Sequence, residues 1–111
     1  MEEVSWYRFD NGSTLSQAGS EGGVIVFDEE HPLGARVTLE RDTQAAPFAI
    51  TCGIYGCMLH TRFFGLESEA SSGYDLMKNA LSELLDRANE SGDDGDRVLM
   101  EGVEAFVETY P

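Results

Sequence analysis

Two cysteines, two histidines and an acidic hairpin tip are the parts of this 111-residue chain whose types and spacing could carry chemistry. Cys52 and Cys57 would need further soft ligands to hold a metal, and no second Cys or His pair stands at zinc spacing. Thioredoxin-like exchange wants two residues between the cysteines, ahead of a helix. Here four intervene within a hairpin, so both sulfurs are expected in the core, where cysteine packs as a small hydrophobe. A cross-strand disulfide stays open if Cys52 directly opposes Cys57. Cys57 and His60 resemble a nucleophile and its base, yet residues three apart on one strand point to opposite faces.

Asp28-Glu29-Glu30-His31 gathers four potential ligands at a hairpin tip. Side chains alternate along a strand, so at most two converge, fewer than a hard cation requires. The stretch Glu90 to Glu101 imitates a calcium loop through Asp94, Gly95 and Glu101. It departs from the pattern with Glu90 in the first position, Gly92 in the third and Arg97 where an apolar residue normally packs, and helix capping accounts for it. Gly19-Ser20-Glu21-Gly22-Gly23 precedes a strand rather than a helix and sets Glu21 where phosphate would be repelled, which argues against nucleotide binding. No Gly-x-Ser-x-Gly elbow or zincin motif occurs. These residues therefore weigh against an enzyme and mark no catalytic residue, metal or cofactor.

The elements that would position these groups follow from periodicity. Trp6 to Phe9 forms a short aromatic strand closed by the turn signal Asp10-Asn11-Gly12, and residues 13–23, rich in Ser and Gly, read as a mobile loop. Gly23 to Glu29 and Ala35 to Glu40 flank His31-Pro32-Leu33-Gly34 as a hairpin. Pairing Phe27 with Val37 and Ile25 with Leu39 puts those four on one face and sets Asp28 across from Arg36. A second hairpin spans Pro47 to Phe64 and turns within Gly53-Ile54-Tyr55-Gly56. With an even turn, Phe48, Ile50, Cys52, Cys57, Leu59 and Phe63 share the core face, and Ala49, Thr51, Met58, His60, Arg62 and Phe64 the other.

Beyond an acidic connector from Glu67 to Ser72 the period becomes helical. Ser72 and Asp75 suggest a capping box, and Tyr74, Met77, Leu81, Leu84, Leu85 and Ala88 mark one stripe. After Ser91 to Asp96, a second helix carries Leu99, Val103, Phe106 and Tyr110. The order βββββαα describes a single α+β domain over residues 1–111, an antiparallel sheet of about five strands with two C-terminal helices on one face.

Charge bounds the partners. With 21 Asp and Glu against 7 Lys and Arg, the net charge of -14 disfavours nucleic acid and anionic membrane surfaces. Met1 to Trp6 lacks an export signal and no apolar run is long enough to span a bilayer, so a cytoplasmic location is expected. The leading expectation is a non-enzymatic acidic module for a basic protein partner, of an inhibitor or immunity type. Its contacts would be Asp28, Glu29 and Glu30 at the hairpin tip, Asp93, Asp94 and Asp96 between the helices, and Arg36, Met58, His60 and Arg62 on an open sheet face. A homodimer through that open face is expected as well. The alternatives are an anion-binding protein or small enzyme at a dimer interface, using His60 with Arg62 or Arg36, and a protein that only self-assembles.

Overall fold

The computed structural model describes residues 6–111. Met1 to Ser5, on which the expectation of no export signal largely rests, lie outside them. Five strands, β1 (Tyr7–Arg8), β2 (Val24–His31), β3 (Ala35–Arg41), β4 (Phe48–Ile54) and β5 (Met58–Phe64), form one antiparallel sheet in chain order. Helices α1 (Glu67–Glu90) and α2 (Gly95–Thr109) follow, joined through a 3-10 turn at Gly92–Asp94. This is the α+β architecture βββββαα that the periodicities predict.

One sheet face and one helix stripe close the core. Ala35, Val37 and Leu39 of β3 and Ile50, Cys52 and Ile54 of β4 pack against Ala70, Tyr74, Met77, Leu81, Leu84 and Leu85 of α1 and Phe106 of α2. Fully burying each large aliphatic side chain contributes about 1.5–3 kcal/mol. The α1 stripe recurs every three or four residues, as a helix lying on a sheet requires. Helix α2 lies so close to α1 that a β-carbon on Gly102 would stand 2.1 Å from Leu84 Cδ1.

Four local expectations are corrected. The β4–β5 turn holds three residues, because Ile54 pairs with Met58. An odd turn reverses every side chain of β5 relative to an even one. Met58, His60, Arg62 and Phe64 therefore face the helices, while Leu59, Thr61 and Phe63 face away, and Cys52 pairs with His60 rather than with Cys57. Second, Phe27 pairs with Leu39 and Asp28 with Thr38, two positions from the expected register. Third, an irregularity between Ile25 and Phe27 sets Ile25 opposite Glu40. This puts Ile25, which is buried, on the open face, and leaves Phe27 half-exposed beside the Tyr74 ring. Finally, α1 begins at Glu67, so Ser72 sits inside the helix and caps nothing. Glu67 and Glu69 occupy its first turn, where carboxylates favour the positive end of the helix dipole.

Candidate functional site

The sheet face away from the helices is floored by short side chains. Thr38 of β3, Thr51 and Gly53 of β4 and Thr61 of β5 lie side by side, and the Thr51 and Thr61 hydroxyls meet at 3.2 Å. Residues 14–21 rise along one side of this floor, and the Tyr55–Gly56 tip with Leu59 along the other. The resulting trough has a volume of about 620 Å³, within the range of small-molecule sites. The face expected to be bare thus carries part of the chain on it.

Two buried carboxylates hold that chain segment in place. Asp28 is 1% exposed, and each of its oxygens accepts one Arg36 N–H and one threonine hydroxyl. Oδ1 receives Arg36 Nε at 2.9 Å and Thr38 at 3.0 Å; Oδ2 receives Arg36 Nη2 and Thr14, both at 2.7 Å. Burial alone would push the Asp28 carboxyl up, but the Arg36 guanidinium and the two hydroxyls outweigh it and leave it below its ordinary value. Arg36 also stacks on Phe9, its Cζ 3.6 Å from the ring centroid. Glu40, also 1% exposed, accepts the backbone N–H groups of Glu21 and Gly23. The segment passes so near that a β-carbon on Gly19 would fall 2.2 Å from the Glu40 carboxyl carbon. Backbone bonds between Ser16 or Gln17 and Ile25 complete the attachment.

The other acids expected at the hairpin tip also have internal partners. Glu29 faces α1 and accepts Tyr74 Oη at 2.8 Å and Lys78 Nζ at 2.7 Å, and Glu30 accepts Tyr55 Oη at 2.6 Å. Desolvation, and then the Glu29 charge, raise the Tyr74 hydroxyl far above the ordinary tyrosine value.

His31 and Ser82 look like a base beside a nucleophile, their Nε2 and Oγ atoms 3.2 Å apart. The backbone N–H of Leu33 donates to His31 Nδ1 at 3.1 Å, which fixes the neutral tautomer with its proton on Nε2. That nitrogen donates to Ser82 and so cannot take its proton, leaving the serine inactive as a nucleophile. Burial lowers the His31 pKa against the opposing charge of Asp86 and favours the same neutral form.

His60 and Arg62 lie on the opposite side of the sheet from Arg36. His60 Nε2 meets the Tyr110 carbonyl at 2.5 Å, and Arg62 sits over the Phe64 and Tyr110 rings, so both secure the end of α2. Met58 packs against the core. The structure therefore does not bring His60 or Arg62 together with Arg36. Cys52 is buried and its thiol is pushed up to about 12, whereas Cys57 is an exposed free thiol in the turn. Among the described residues, no three His, Cys, Asp or Glu side chains cluster as metal ligands would, and no helix is long and apolar enough to cross a membrane.

The acids of the helical layer behave differently. All twelve acidic residues between Glu67 and Glu108 are exposed. Among the described residues only Asp94 and Glu101 of these form ion pairs, both with Arg97. Asp93 and Asp96 point to solvent beside them. Asp75, Glu83, Asp86 and Glu90 recur at helical spacing on the outer side of α1, and Glu101, Glu104 and Glu108 on that of α2. Thr14, Glu40 and Ser82 carry no motif and were not singled out from the sequence; only the fold shows what they touch. No family model, curated protein or solved structure matches the chain.

Proposed function

We propose that this protein is a non-enzymatic binding module that engages a basic protein partner through the outer face of its two helices. The observation that carries the reading is the division of its acids. Asp28, Glu29, Glu30 and Glu40 of the sheet are bound to internal donors, while those of α1, α2 and their connector are exposed, and among the described residues only Asp94 and Glu101 of them are paired, both with Arg97. Unpaired surface carboxylates of one sign steer an oppositely charged partner and accelerate its association. An inhibitor or immunity-type protein for a basic enzyme fits this physics, and Asp93, Asp94 and Asp96 lie within the same surface. The test is capture at low salt with the whole chain as bait. Basic proteins should be retained, released as salt rises, and lost in a Glu83→Gln, Asp86→Asn, Glu90→Gln variant. Capture indifferent to salt, or retention by the variant, refutes the reading.

A second reading, a site for a small anionic ligand, is favoured by the trough and by the third of the Arg36 side chain that remains exposed in it. Thermal shifts with small carboxylates and phosphates test it. Stabilisation should persist in His60→Ala, which lies across the sheet, and vanish in Arg36→Gln.

A further inference from the structure

We propose that β5 is the dyad strand of a homodimer, in which two copies pair antiparallel along their β5 edges about Thr61 and join two five-stranded sheets into one. Among the described residues, strand β5 closes the sheet with β4 on one side and no strand on the other. It runs seven residues in unbroken register, without proline, lysine or bulge, and its one charged side chain, Arg62, is turned over the Phe64 and Tyr110 rings, so the strand edge itself is open to pairing. The opposite edge is β1, two residues long before the chain turns into a 3-10 helix.

Apolar surface gathers along this same edge. Leu59 is 81% exposed, Phe63 45%, and Leu66 and Leu76 more than half. Phe63 and Leu76 line one shallow groove beside Gly65. An antiparallel dyad at Thr61 sets Leu59 against Phe63 of the second copy and Met58 against its Phe64, each pair repeated by the two-fold as an isologous contact requires. A slip of one residue would turn these side chains to opposite faces.

Charge selects a second copy as the occupant. Each molecule carries -14, so two copies repel wherever acids face each other. Between Asp42 and Glu67 the chain has no acidic residue, and this stretch contains all of β4 and β5. A basic partner is drawn instead to the helical layer, which this dimer leaves free. The two associations respond oppositely to salt: screening weakens the attraction to a basic partner and relieves the repulsion between copies.

Sedimentation equilibrium of the whole chain tests the proposal. Dimerisation at micromolar concentration should tighten as salt rises. Leu59→Glu and Phe63→Glu, which change exposed side chains, should weaken it by roughly a hundredfold, since each buries an unpartnered carboxylate, while circular dichroism stays unchanged. Directly opposed residues of antiparallel strands lie about 4.5–5.5 Å apart at Cα, within disulfide reach. Thr61→Cys, made together with Cys57→Ser and Cys52→Ala, should therefore cross-link on mild oxidation. A monomer at every salt concentration, a dimer that survives both glutamate variants, or a dimer that does not cross-link at position 61 would overturn it.

Discussion

Replacing Asp28 with asparagine tests the tie between the sheet face and the segment lying on it. In the native protein four donors converge on two oxygens, one arginine N–H and one threonine hydroxyl on each. Asparagine keeps one oxygen and turns an amide NH2 toward the other arginine N–H, so two donors face each other where a charged hydrogen bond stood. Breaking a fully buried ion pair costs about 3–5 kcal/mol. Because about a third of the Arg36 side chain is exposed and can regain water, about 2–4 kcal/mol is the expected loss. At this chain length that lowers Tm by roughly 8–16 °C. The pH dependence is the sharper test. The folded-state Asp28 pKa lies below the ordinary 3.8, so its stabilisation is complete above that pH and is lost as pH falls through the folded value. Denaturant titrations of the native protein and Asp28→Asn should thus differ by a constant amount near neutrality and converge in acid. In the background of Arg36→Met the same substitution should cost at least 1 kcal/mol less. A difference below about 0.5 kcal/mol, or one that stays constant from neutral pH into acid, refutes the reasoning.

Three other perturbations have defined outcomes. Because burial lowers the His31 pKa below 6.5, the native protein should lose stability as pH falls from 7 toward 5, and His31→Asn should remove that slope in chemical denaturation. A thiol reagent should modify Cys57 alone in the folded protein and reach Cys52 only after unfolding, as the mass of the adduct would show. Gly102→Val forces a branched side chain into the space of Leu84 and should cost about 1–3 kcal/mol by thermal unfolding.

Much of this fold is legible in the residues, and the misreadings have a common physical source. The stripe Tyr74, Met77, Leu81, Leu84 and Leu85 is buried as its spacing predicts. The pairing of Asp28 with Arg36 also holds, although the register lies two positions away, because an even shift preserves faces and the two side chains meet diagonally. The orientation of β5 was not legible. Met58-Leu59-His60-Thr61-Arg62-Phe63-Phe64 places apolar groups on both faces, so alternation could not reveal whether the turn held two, three or four residues. An even turn would direct Leu59 and Phe63 inward, whereas the three-residue turn exposes both along the β5 edge. Of the candidate site, the acidity of the helices could be read directly. The capture of Glu29 by Lys78 and of Glu40 by the backbone of Glu21 and Gly23 joins residues far apart in sequence, and no local pattern announces it.

The order of elements along the chain also governs how the molecule is made. Every strand pairs with its neighbour in sequence, so the whole sheet can assemble from local hairpins as it leaves the ribosome, before any helical residue follows. During that interval Val37, Leu39, Ile50 and Cys52 present an uncovered apolar surface, since their cover is supplied by α1 and α2. The helices are therefore an intramolecular guard that arrives last. Any delay in translation between Phe64 and Tyr74 prolongs the period in which the nascent sheet is open to aggregation.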